Sequence, residues 1–153
     1  MTNADVIRPA LATAPETHAT IDRPRRLRSA GAVLAGLVSI FAVPTALDAV
    51  MHASGVFPPD AARMSDALFA FAFGYRFVID VAGSALTARL APRRPTRHAL
   101  ALGGIGLVLS IAGAVAMWDP AHAWYPIALA ASALPCGWLG GRLVEGRRGV
   151  SRR

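Results

Sequence analysis

The sequence predicts an all-α polytopic membrane protein, a bundle of four transmembrane helices with both termini cytoplasmic. Three observations predict it. Four apolar stretches, each long enough to cross a bilayer, occupy nearly everything after Arg28. Arginines fall at alternate ends of these stretches. Trp118, Trp124 and Tyr125 mark one set of ends, and Trp138 lies nearer the other, as interfacial aromatics do. Helices satisfy every backbone polar group within their own segment, which hydrocarbon demands.

Composition supports one membrane domain, over 29–145, between a disordered basic tail at 1–28 and a basic tail at 146–153. The chain of 153 residues is 54% hydrophobic, too short for two ordinary domains and too apolar for a soluble one. Its net charge of +7 is carried by clusters that flank apolar segments. That placement fits topology determinants and attraction to anionic lipid headgroups at the cytoplasmic face, and argues against nucleic acid as a partner. All the basic side chains are arginine and none lysine, which with abundant alanine fits a GC-rich bacterial genome. Cys136 is the sole cysteine, so an intrachain disulfide and a cysteine-based metal site are excluded.

Taken in order, residues up to about Asp22 lack apolar periodicity and read as a tail. Arg23, Arg25, Arg26 and Arg28 then precede a first helix from Ala30 to about Met51. A cleaved signal peptide would have a shorter apolar core of roughly 7–15 residues. The segment Ser54 to Ser65, with Gly55, Pro58 and Pro59, forms a loop. A second helix runs from Asp66, an acid suited to a helix N-terminus, to about Leu90. Pro92, Arg93, Arg94, Pro95 and Arg97 make a basic turn before a third helix, about Ala99 to Trp118. Asp119 and Pro120 open a brief loop, and a fourth helix spans about Trp124 to Leu143. The two loops on the side opposite the termini hold only Arg63, so the positive-inside rule puts both termini in the cytoplasm.

Arg76 is the residue that demands explanation. It stands near the middle of the second helix, where a charge costs at least about 2.5–3.5 kcal/mol, so it must face the bundle interior, a wet cavity or a partner. Asp80 follows one turn later, and Ser84 and Thr87 continue the same polar stripe. On the first helix Asp48 and His52 share a face, one turn beyond Pro44, which cannot donate to the Ile40 carbonyl and should kink the helix. Asp48 and Asp80 are both candidate partners of Arg76, and Asp48, His52, Arg76 and Asp80 form the predicted intramembrane polar cluster. Its two readings are an ion pair that fixes packing and a solute or proton pathway.

Other patterns carry less. His52 and His122, with Asp48 or Asp119, have no metal-site spacing, and no metal or cofactor is expected. Cys136 reads as a small packing residue. Gly103, Gly104 and Gly106 echo a phosphate loop but lie inside a span rather than after a strand. Asp66 and Asp119 opening two helices that Arg89 and Arg142 close is expected from topology alone, without an internal repeat. No nucleophile, base and oxyanion donor converge, so no catalytic residue and no enzyme is predicted. Small residues do recur at seam spacing: Gly103, Gly106, Ser110 and Gly113 on the third helix, with Ala130, Ala133, Gly137 and Gly140 on the fourth. The third-helix seam is expected to be an edge free to meet another helix, in a homo-oligomer or with a membrane-protein partner.

The runs Met51-His52-Ala53-Ser54-Gly55-Val56-Phe57-Pro58-Pro59, Tyr75-Arg76, Leu86-Thr87-Ala88-Arg89-Leu90-Ala91-Pro92, Trp124-Tyr125-Pro126 and Leu134-Pro135 resemble an uncharacterised group of small bacterial four-helix integral membrane proteins. The resemblance covers roughly Ala30 to Leu143. It implies a multi-pass protein of the bacterial inner membrane and brings no activity or functional residue with it.

Two functions remain in view, and the first is the expected one, because four helices leave little room for alternating access unless the protein oligomerises. One is a structural or interaction component of the inner membrane, with Arg76 and its acids locking the packing. The other is a small transporter or permease component with a polar intramembrane site around Arg76, Asp80 and Asp48.

Overall fold

The computed structural model describes residues 17–60, 64–116 and 118–150. Four α-helices account for most of them: α1 Thr17–Ala53, α2 Asp66–Leu90, α3 Pro95–Ala116 and α4 Trp124–Val150. Each contains a stretch long and apolar enough to cross a membrane. No strand occurs among the described residues. The expected tail before Thr17, and Arg63, lie outside them.

The helix ends differ from expectation where charge was taken for a boundary. Helix α1 begins at Thr17, inside the stretch read as a tail, and α4 continues through Glu145, Arg147 and Arg148 to Val150. Hydropathy marks where hydrocarbon ends, but arginine is a good helix former, so the backbone runs on beyond the apolar span. Helix α3 similarly starts at Pro95, at the first helical position where a missing N–H costs nothing. Helix α2 has the expected limits: the Ser65 side chain caps it by accepting from the Leu68 N–H, and Ala91 ends it just before Pro92. The chain leaves α1 at Gly55, whose φ of +75° is a left-handed value that suits glycine.

Cross-helix contacts establish an up-down-up-down arrangement. The middle of α1 meets the end of α2, where the Thr87 hydroxyl donates to the Ala32 carbonyl at 3.1 Å. The starts of α2 and α4 meet where the Trp124 indole N–H donates to Asp66 at 2.9 Å. Their far ends meet where the Arg148 guanidinium donates to the Arg89 carbonyl at 2.9 Å, supplying a partner to an orphan carbonyl in the last turn of α2. Helix α4 packs against both α2 and α3, while α1 lies mainly on α2 and touches α3 more lightly.

The interior is built from small side chains. Ala72, Gly83, Ser84, Thr87 and Ala88 of α2 are buried, with Ala99 and Leu102 of α3 and Ala133 and Cys136 of α4. Large apolar residues face outward instead, Val78, Val108 and Val115 among them. Lipid is as apolar as leucine, so burying bulk brings little, whereas small residues let helix backbones approach and gain dispersion contacts. At the α3–α4 contact a Cβ placed on Gly137 would lie 2.8 Å from the Ala99 carbonyl oxygen, and one on Gly103 would lie 2.8 Å from the Ala133 carbonyl oxygen.

That contact occupies one end of the expected seam. Gly103 closes α3 onto α4 within the chain, and the position of a Gly106 Cβ falls 3.9 Å from Ala133, an ordinary contact. Ser110 faces the bundle interior, and Gly113 lines a cleft beyond it. Gly103 meets α4 because the short α3–α4 connection makes these two helices antiparallel neighbours, while a Cβ on Gly113 would meet nothing within 4 Å.

Candidate functional site

The site starts from a cost. Arg76 lies ten residues beyond the first residue of α2, about 15 Å along the axis at about 1.5 Å per residue, deep within the span. Its Nη2 donates to Asp48 Oδ2 on α1, and the neighbouring Tyr75 hydroxyl donates to Asp48 Oδ1. One carboxylate thus receives both donors, which ties α1 to α2. Tyr75 and Arg76 are consecutive, so their side chains leave the helix in different directions. They converge because Asp48 stands between them.

Of the two acids that sequence left open, Asp48 is the ion-pair partner. Asp80, one turn along α2, forms no hydrogen bond or ion pair among the described residues, and it lines an internal cavity with Arg76. His52 stands apart. Its Nδ1 meets the Asp48 backbone carbonyl at 2.8 Å, and its ring packs edge-on against Phe57, with ring centres 5.5 Å apart. His122 is at the far loop, 3.0 Å from Asp119, and among the described residues no group of three or more His, Cys, Asp or Glu is placed to hold a metal.

Two spaces meet at Arg76. The inner one is a cavity of about 110 Å³ whose walls include Pro44, Thr45, Arg76, Asp80, Ser84 and Cys136. At about 30 Å³ each it has room for three waters or a comparably small solute. The outer one is a cleft of about 470 Å³ that runs from Asp119 and His122 at the α3–α4 connection, past Phe69 and Tyr125, to Arg76. Phe41, Arg76, Ser110 and Leu129 line both spaces.

The rim is organised by aromatic contacts. Phe69 lies between His122 and Tyr125, with ring centres 4.5 Å and 5.0 Å away. Asp119 accepts from the Ala121 N–H at 3.0 Å and bonds the His122 ring. Those bonds, first the one to His122 and then the one to the backbone, hold the Asp119 carboxyl below its ordinary range.

Sequence reading named Arg76, Asp48 and Asp80 and put Ser84 on the same polar stripe, but it took Cys136 for a packing residue and missed Tyr75 as the second donor to Asp48. The available signal was general: a tyrosine inside a span needs a partner for its hydroxyl. It also placed Ser110 on a packing seam, whereas its wall position between the two spaces depends on how α3 is rotated against α1 and α4. Chemically the arrangement offers recognition. One guanidinium, one carboxylate and several hydroxyls line a small cavity, and a second carboxylate, Asp48, holds the guanidinium from outside that wall. Compared with known proteins, the chain matches no family model, no curated sequence and no solved structure.

Proposed function

We propose that this chain is a multi-pass protein of the bacterial inner membrane, with both termini cytoplasmic, that binds a small polar solute inside its helix bundle as a small transporter or permease component. One observation carries the reading: Arg76 is a wall of both the inner cavity and the cleft that leads from the α3–α4 connection. A charge retained deep in a span beside a space open to one membrane face is the usual mark of a substrate or ion route. The scarcity of arginine in those connections supports an opening on the outer side.

The test is accessibility. In a Cys136→Ala background, cysteine at Ser110 should react with a small membrane-impermeant thiol reagent added from outside, and cysteine at outward-facing Val108 should not. Failure of Ser110→Cys to react would remove the route.

A structural or interaction role is the second reading, and the double acceptance of Tyr75 and Arg76 by Asp48 favours it, since that geometry clamps α1 to α2. In that case Asp80→Asn would leave every property of the protein intact.

A further inference from the structure

We infer that the inner cavity is a site for one small monovalent cation, of ammonium or alkali type, bound at Asp80. This rests on the solute-binding reading above and gives it a charge. An arginine in the membrane suggests an anionic solute at first sight. The geometry reverses that sign.

The Arg76 guanidinium is already engaged by Asp48, whose other oxygen accepts from Tyr75, so these three groups close on one another as a neutral set. Arg76 Nη2 is spent on Asp48, and its Nε is buried without a hydrogen-bond partner. Asp80 remains, a carboxylate in the cavity wall with no ion pair or hydrogen bond among the described residues. With Asp80 ionised, one guanidinium against two carboxylates leaves one negative charge in a medium that penalises it heavily, and a bound cation would offset it.

The remaining wall is also rich in acceptors. Pro44 has no N–H for the Ile40 carbonyl, and both residues line the cavity. The Thr45 hydroxyl gives its proton to the Phe41 carbonyl at 2.7 Å, which leaves its lone pairs for a ligand. Ser84 adds a second hydroxyl. A carboxylate and two hydroxyl oxygens suit a cation with donors or a bare alkali ion, and the volume limits its size to about that of methylammonium.

The test uses the full chain in lipid nanodiscs, unfolded thermally and followed by tryptophan fluorescence. Choline chloride is replaced at constant ionic strength by ammonium, methylammonium, sodium or tetraethylammonium chloride, and separately by choline formate. A saturable rise in Tm, on the order of 3 °C, is expected with ammonium and methylammonium or with sodium, the pattern telling the two sources apart. Tetraethylammonium should give none. Asp80→Asn should abolish the rise and Glu145→Gln should keep it; if Asp80→Asn does not fold, Ser84→Ala should weaken cation affinity about fivefold. An unchanged rise in Asp80→Asn, or unchanged affinity in Ser84→Ala, overturns the site. A response to formate and to no cation overturns the cation while leaving a solute site. No response to any of them overturns both.

Discussion

Arg76 of α2 and Asp48 of α1 form an ion pair within the membrane span, joining two antiparallel helices at a depth that neither fixes alone. Asp48 lies five residues from the end of α1 and Arg76 ten residues into α2. A long arginine side chain bridges that offset, and the Tyr75 hydroxyl holds the carboxylate from its other side.

Breaking this pair from one side should be expensive. Arg76→Leu leaves Asp48 without its cation and is expected to destabilise the protein by about 3 kcal/mol. Adding Asp48→Asn should recover at least half of that, because the amide carbonyl still accepts from Tyr75 while carrying no charge. Unfolding of the single and double variants in detergent checks this, and no recovery in the double variant would contradict the pairing.

Glycines of α3 and α4 should differ sharply in tolerance. Gly137→Ala places a methyl 2.8 Å from the Ala99 carbonyl oxygen, so α3 and α4 must separate, at a cost of about 1–3 kcal/mol. Gly104→Ala and Gly113→Ala meet nothing within 4 Å and should be neutral or slightly stabilising, since alanine is the better helix former. Equal losses at all three positions would show that the α3–α4 contact has been misassigned.

Orientation has its own measurement. Single cysteines at Pro95 and before Arg23, in a Cys136→Ala background, should be shielded from an impermeant thiol reagent in intact cells, and one at Val56 should be labelled. Labelling of the Pro95 position alone would invert the topology.

The rim titrates in a direction that geometry sets. Asp119 is held below the ordinary carboxylate range of about 4, so its contribution to rim stability is present above that range and is lost as pH falls through its lowered folded value. His122→Ala removes the larger cause and should return the Asp119 carboxyl toward its ordinary titration by NMR. An unaltered titration would mean that the backbone bond from Ala121 suffices.

Sequence alone determined the class, because length, apolarity and arginine placement are properties of each segment by itself. The four spans, the limits of α2 and the depth of Arg76 all follow from counting residues along a helix. The helical extents of α1 and α4 were less legible, since a basic flank that leaves hydrocarbon keeps its helix propensity. Tertiary structure alone chose Asp48 over Asp80 as the ion-pair partner, brought Tyr75 to the same carboxylate and turned Gly103 toward α4. Those outcomes depend on the rotation of each helix about its axis and its offset against its neighbours. Small-residue packing sets both, and alanine-rich faces look alike in sequence until one of them meets another backbone.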